Sequence, residues 1–549
     1  VEAAPRGAIH PRSFDAARQF AGAWALPGLL GLVGVVNFVV LLAQARALVH
    51  SLYLNADNAS ALVLPALAGH APPGSVVNIG NHPWYEPWWF MRATASLPGY
   101  RALWEAAPIV LGLLGSAAVA ACAWWALGRL AGLVCGAVLL SASAAQRSVL
   151  YVPESHGLIV IHVAVLCAAL LFVQRRAHRG RLPLRTLLLV GVPLTLFTAA
   201  GLTDQLLIVS GLGPFVLAPL VCWLRFRSRT WMTVSAFAVV TGIVSLMLAL
   251  LVTHVMQDRG VVHAPFPVSF VGSEAMLAGA QNLLATLAWL GGGSFFGLPA
   301  SGGNLFTFGA GVLTLVAFAE ILRALWRWRV ATADSSEQLT ARPVSRELFV
   351  AFWGSAMVLA IAVFLLTSVS ANSAGGRYLV GAWAAAAALL GILATGRIAR
   401  AALLVGVVAF CALNARSEIA SGVTPLGVGP DQRVAGEIER FATAHGASIG
   451  YAGYWDAAPV TWETHLRIKL YPIVGCPTPA GLCPFINNQI NTWYVPRANT
   501  RTFLLADTRA IELTVGSPSA SFGRPIAEEA LEGGFTIYVY SHDIAAALG

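Results

Sequence analysis

The sequence predicts a mainly α, polytopic membrane protein with about eleven transmembrane helices, followed by a small C-terminal α/β extracytoplasmic domain. Three observations predict it. Apolar stretches able to cross a bilayer core of about 30 Å recur through the first three quarters of the chain. Only 11% of the 549 residues are charged, against about 25% in an ordinary soluble protein, which excludes a cytosolic globular enzyme. The charge balance reverses near residue 413: 25 Arg and 13 Asp/Glu before it give +12, and 9 basic and 12 acidic residues after it give −3. The domain boundary is therefore set at 1–413 and 414–549.

The apolar runs fall near residues 24–48, 108–127, 130–145, 157–173, 186–200, 205–224, 231–255, 305–325, 348–369, 378–394 and 401–413. Several are shorter than the roughly 20 residues a spanning helix needs. The further stretch 275–300 reads as a re-entrant or interfacial piece. Placing the N-terminus inside puts 19 of the 25 arginines in cytoplasmic loops and six outside, the asymmetry of a correct topology. This clustering between apolar runs argues against a nucleic-acid surface. An odd helix count leaves residues 414–549 outside. The first apolar run lacks a small-residue cleavage site, so no cleavable signal peptide is expected.

Three substantial pieces reach the outer face: residues 49–107, 256–304 and the C-terminal region. The first carries Pro83, Trp84, Tyr85, Glu86, Pro87, Trp88, Trp89 and Phe90, a composition suited to helices lying at the membrane interface. In the last, strand-like runs at 448–451, 502–505 and 535–540 alternate with helix-like runs at 431–445 and 457–466. Cys122, Cys135, Cys167, Cys222 and Cys411 sit in apolar runs and read as inert. Cys476 and Cys483 flank a Pro/Gly loop in an oxidising compartment and are expected to form a disulfide. Two thiols without a nearby His pair do not make a zinc site. Gly291, Gly292 and Gly293 lack the Lys and Ser/Thr of a phosphate loop, and no internal repeat is visible.

Seven acids (Asp57, Glu86, Glu105, Glu154, Asp204, Asp258, Glu274) and six arginines (Arg46, Arg92, Arg101, Arg147, Arg259, Arg377) fall on the outer membrane face. Ionisable groups at membrane depth are costly and point to function, so this short list is where a site is sought. Asp57 follows the first helix by about nine residues and stands where an amphiphile's headgroup lies. It is either a general base for an incoming hydroxyl or an Asx cap. Glu154 and His156, on the next short outer loop, either converge with Asp57 or cap a helix. Asp204 has the same two readings. Arg377 opens Arg377-Tyr378-Leu379 after a Ser/Asn/Gly loop; its planar fork suits a phosphate, with Arg101 and Arg147 as second ligands, or it snorkels to lipid. Tyr454, Trp455, Asp456 and Trp462, with Asn487, Asn488, Gln489, Trp493 and Tyr494, form an aromatic and amide strip. That strip either holds a sugar acceptor or packs the outer domain.

This layout resembles the GT-C superfamily of integral-membrane glycosyltransferases: a carboxylate shortly after helix one, surface helices, an acid in the second outer loop, Arg377-Tyr378-Leu379 at a late helix and a soluble outer domain. Tyr100-Arg101-Ala-Leu-Trp104-Glu105-Ala-Ala-Pro108 is similar to actinobacterial members of the protein mannosyltransferase and arabinosyltransferase type. The resemblance implies transfer of a sugar from a polyprenyl-phosphate donor to a cell-envelope glycan, lipid or protein at the plasma membrane's outer face, as in cell wall biogenesis. It further implies catalytic roles for Asp57, Glu154 and His156, and donor binding by Arg377 and Tyr378 with Arg101, Glu86 and Asp204. Acceptor binding by Tyr454, Trp455, Asp456 and Trp462 is expected from the aromatic strip. Relatives often carry adjacent acids in the first loop, but here Asn58 follows Asp57, so an inverting, metal-independent transfer without cofactor is expected. A transporter or flippase of lipid-linked sugars, and a non-catalytic envelope-assembly protein, are the rival readings. Transporters place polar groups at mid-membrane on repeated halves, and neither sign is present in the sequence.

Overall fold

The computed structural model describes residues 12–53, 55–80, 85–141, 150, 156–180, 182–263, 268–293, 304–330, 344–371, 375–421, 430–476, 481–507 and 521–548. Among them, ten helical segments are long and apolar enough to cross a membrane, and a sheet-containing domain closes the chain. In chain order the first helices are α1 (Arg12–Tyr53), α2 (Ala56–Ala68), α3 (Tyr85–Thr94), α4 (Tyr100–Leu127), α5 (Arg129–Leu140) and α6 (Ile159–His178). They are followed by α7 (Leu184–Gly201), α8 (Gly213–Phe226), α9 (Arg229–Asp258), α10 (Ser273–Leu290), α11 (Asn304–Val330), α12 (Val344–Leu366), α13 (Val380–Leu389) and α14 (Arg397–Ser421).

The run expected at 130–145 is realised as α5, whose 12 residues reach about 18 Å at 1.5 Å per residue. Its continuation lies outside the described residues. The other ten runs each become a spanning segment. The helix entering at 108 in the apolar reading instead begins at Tyr100, because Ala, Leu, Trp and Glu extend it outward with good helix propensity. The apolar stretch at 275–300 contains the helix α10.

Two short helices follow α1 on one face. α3 exposes Trp89 and Phe90, as an interfacial helix would. α2 differs from the expected surface helix: nine of its 13 residues are buried, because the C-terminal domain packs over it.

That domain contains α15 (Gln432–Ala444), β3 (Ile449–Gly453), α16 (Tyr454–Glu463), β4 (Lys469–Gly475), β5 (Leu482–Pro484), β6 (Gln489–Ile490), β7 (Thr502–Asp507), β8 (Ala527–Ala530) and β9 (Phe535–Tyr540). Six strands form one sheet in the order β5-β4-β3-β7-β9-β8. Its centre, β4-β3-β7, is parallel, and β5, β9 and β8 pair antiparallel outside it. The parallel centre is buried by α15 and α16 through Ile438, Val460, Phe503, Leu505 and Ile537, as parallel strands require cover. Asp431 caps α15 by accepting the Val434 N–H at 3.0 Å. Cys476 and Cys483 are joined in a disulfide beside β4 and β5.

A second sheet stitches the domain to the membrane part. β1 (Val77–Asn78), after α2, pairs with β2 (Val261–Val262), after α9, and with β6 of the C-terminal domain. One end of the helical part, where α2 and α9 finish, and the C-terminal domain therefore share one face.

Candidate functional site

Asp57 stands in the first turn of α2. Asn55 caps this helix, its side-chain oxygen accepting the Asp57 amide N–H at 2.9 Å, so the cap role falls to Asn55 and the Asp57 carboxylate is available for other partners. The Tyr454 hydroxyl, at the start of α16, donates to Asp57 Oδ1. Asn488 Nδ2 in turn donates to the Tyr454 hydroxyl oxygen at 2.8 Å. On the other oxygen, Arg377 Nη1 lies 3.9 Å from Asp57 Oδ2. The two side chains remain 22% and 27% exposed, enough for a substrate to reach both.

Arg377 belongs to a 3-10 turn, Gly375–Leu379, leading into α13. The turn sits close to α10: a Cβ on Gly376 would come within 2.5 Å of the Trp289 ring. It also sits close to a π-helical turn at Ile208–Leu212, where a Cβ on Gly381 would strike Ser210. Two glycines thus let the Arg377 segment drop between neighbouring helices. Arg377 Nη2 donates to the Tyr378 hydroxyl at 3.2 Å, and its Nε is buried with no partner among the described residues.

Tyr378 links Arg377 to a second pair. Its ring centroid lies 5.2 Å from that of His156, whose Nδ1 is 2.8 Å from Asp204 Oδ2. Asp204 Oδ1 accepts the Leu206 N–H at 2.9 Å, so this carboxylate both caps its turn and orients the imidazole. His156 holds a left-handed backbone, φ 65°, which directs its ring inward, and the residue is 2% exposed. The contacts run continuously from Asn488 through Tyr454, Asp57, Arg377 and Tyr378 to His156 and Asp204.

The structure places the other expected residues elsewhere. Arg101, expected beside the donor phosphate, donates to the Trp462 carbonyl at 2.7 Å and lies over the Trp462 ring at 4.0 Å. Glu86 meets His162 Nε2 at 2.9 Å, holding α3 against α6. Trp462, expected at an acceptor surface, is 1% exposed; it stacks on Trp104 at 6.3 Å and donates its indole N–H to Glu105 at 2.9 Å. Trp462 with Trp104, Glu105 and Arg101 joins the membrane part to the C-terminal domain, because one large indole packs on the start of α4 while its N–H finds an acceptor. Asp456 is buried in α16, whereas Trp455 is half-buried, edge-on to Tyr454 at 5.2 Å. Glu154 and Arg147 lie outside the described residues.

Two residues of the cluster, Asn55 and Asn488, were not among the expected catalytic or donor-binding residues. Asn55 stands two before Asp57, the spacing of an Asx turn. Asn488 follows Tyr454 by 34 residues and its part in this cluster has no local signal. Among the described residues, no group of three or more His, Cys, Asp or Glu is arranged to hold a metal ion.

No protein-family model and no curated protein sequence matches the chain. Solved structures are similar at low identity. The archaeal oligosaccharyltransferase AglB from Archaeoglobus fulgidus, in complex with an inhibitory peptide and a dolichol-phosphate, superposes with a TM-score of 0.42 and 12% identity; the match covers 82% of this chain and 64% of that one. The Archaeoglobus fulgidus oligosaccharyltransferase tethered to an acceptor peptide gives 0.44 and 11%, covering 89% and 70%. Its apo form gives 0.45 and 12%, covering 88% and 70%.

Proposed function

We propose that this chain is a GT-C-type membrane glycosyltransferase, moving a sugar from a polyprenyl-phosphate donor to a cell-envelope glycan, lipid or protein on the face that carries the C-terminal domain. One observation carries the reading: Asp57 and Arg377, from opposite ends of the membrane part, meet at 3.9 Å while both stay partly exposed. A carboxylate beside a guanidinium at headgroup level is the minimum equipment for displacement at a sugar carbon that bears a phosphate.

In the proposed transfer, the donor phosphate approaches Arg377 and replaces Asp57 as its counter-ion. A bidentate guanidinium contact then stabilises the negative charge that grows on the leaving phosphate. Asp57, released from Arg377, accepts the proton of the acceptor hydroxyl as that oxygen attacks the anomeric carbon in line with the departing phosphate, inverting it. The Tyr454 hydroxyl holds Asp57 Oδ1, which leaves Oδ2, released from Arg377, to take the proton of the acceptor hydroxyl. Tyr378, His156 and Asp204 hold the floor of the site and fix the Arg377 turn. Asn58, following Asp57, supplies no second carboxylate, which supports a metal-independent course.

Purified protein in lipid nanodiscs, given a lipid-linked pentose or hexose and membrane acceptors, tests this. Asp57→Asn is expected to lower kcat by about 10²- to 10⁴-fold, the usual contribution of a general base. Arg377→Gln is expected to raise KM for the donor and lower kcat together. Unimpaired transfer by a folded Asp57→Ala protein would remove Asp57 from the mechanism.

A further inference from the structure

A cavity of about 640 Å³ lies between α11, α13 and α14, with the start of α12 at its side and Val138 of α5 touching it. It sits at the face away from the C-terminal domain, since α14 begins beside it and runs to that domain at its other end. The cavity arises because α11 and α14 diverge. Near the outer face they touch: a Cβ on Gly309 would meet Leu413 at 3.4 Å, and Arg416 covers the Phe306 ring at 5.0 Å. Towards the other face, Leu313 to Arg327 and Ala399 to Val407 line opposite sides of an empty space. The 3-10 turn Leu390–Leu393 between α13 and α14 closes its end.

The chemistry of the walls is divided. Along its length the cavity is apolar, with Phe318, Ile321, Val407 and Phe410 buried against it and Val316 exposed at the rim. At its mouth stand Arg323, Arg327, Arg346, Glu320 and Glu347. Both acids already have partners. Glu320 pairs with Arg323, and Glu347 takes Arg225 at 3.0 Å and the Trp328 indole N–H at 2.7 Å. The Trp328 to Glu347 bond joins the adjoining helix ends, and Arg327 and Arg346, both exposed, line the same cavity. Deeper in, Trp383 is 5% exposed and its indole N–H has no acceptor among the described residues.

We propose that this cavity binds one acidic phospholipid from the adjacent leaflet. One of its two acyl chains fills the apolar length, its phosphate lies between Arg327 and Arg346, and an ester carbonyl offers the Trp383 N–H the acceptor that bare hydrocarbon lacks. Charge selects the occupant: a zwitterionic lipid brings its own cation to the same mouth, whereas an anionic headgroup meets two arginines without competition. The volume falls in the range of about 300–1,000 Å³ typical of sites for small molecules. The site is independent of the transfer reaction proposed above.

The full chain, purified in detergent and incubated with defined lipids, supplies the test through native mass spectrometry of retained lipid. Phosphatidylglycerol is expected to be retained about tenfold more than phosphatidylcholine, in keeping with two basic side chains. The double change Arg327→Gln with Arg346→Gln, both on exposed positions, is expected to abolish that preference. Gly406→Trp is expected to reduce retention of phosphatidylglycerol, because Gly406 lines the cavity and a Cβ there meets nothing within 4 Å. Equal retention of the two lipids by the wild-type protein overturns the proposal, as does full retention by both variants. Displacement of phosphatidylglycerol by equimolar polyprenyl phosphate would reassign the cavity to the donor lipid. Equal competition by glycerol 3-phosphate would show that the acyl chain is not recognised.

Discussion

Asp57 illustrates how one side chain acquires a role through its neighbours. Two readings of its sequence context competed, a helix cap and a general base, and both rest on the same carboxylate chemistry. Asn55 takes the cap role by accepting the Asp57 amide N–H, and the Asp57 carboxylate meets Tyr454 and Arg377 instead. Tyr454 is then a positioning residue: its hydroxyl, itself held by Asn488, keeps one carboxylate oxygen in place. Hydrogen bonds to charged groups contribute about 1.5–3 kcal/mol. Tyr454→Phe is therefore expected to lower kcat by about tenfold with KM for the donor nearly unchanged. A loss of thermal stability with unchanged kcat would assign the hydroxyl to packing alone.

At the scale of elements, the site depends on turns more than on helices. The Gly375–Leu379 turn carries Arg377 and Tyr378, and its depth is set by the 2.5 Å clearance between a Gly376 Cβ and Trp289. Gly376→Ala is expected to push the turn outward, raise KM for the donor several-fold and lower the thermal midpoint, since overpacking costs about 1–3 kcal/mol. Adding Trp289→Ala removes the obstacle and is expected to restore KM; a double variant no better than the single one would locate the defect elsewhere. The π-helical turn Ile208–Leu212 plays a matching part by bringing Ser210 against Gly381, and such turns often mark functional positions. Apolar pattern marked the runs in which these turns lie but not the departures from α-helical geometry within them, which packing against neighbouring helices sets.

For the whole molecule, the junction of membrane part and C-terminal domain holds Tyr454 and Asn488 against Asp57. Trp462, Trp104, Arg101 and Glu105 form one end of it, and the β2-β1-β6 sheet forms the other. Trp462→Ala empties a buried indole and deprives Glu105 of a donor. A loss of about 3–5 kcal/mol is typical of such a truncation. The expected outcome is faster proteolytic release of the outer domain and loss of transfer, with the membrane helices still protected. Unchanged protease resistance would show that the small sheet alone secures the domain.

The sequence by itself determined the polytopic helical architecture, the change to an α/β domain and the short set of ionisable residues from which a site can be built. These follow from solvation: a bilayer demands long apolar helices and keeps charge out of its core, and both demands are written locally in the chain. Which of those residues meet is set by packing. Asp57 and Arg377 are joined, while Arg101, Glu86 and Trp462 serve contacts between elements, and Tyr454 and Asn488 reach the site from the far end of the chain. A carboxylate or an arginine has the same local sequence requirements in either role. Its partner is set by how helices, turns and the outer domain pack, through contacts between residues hundreds of positions apart.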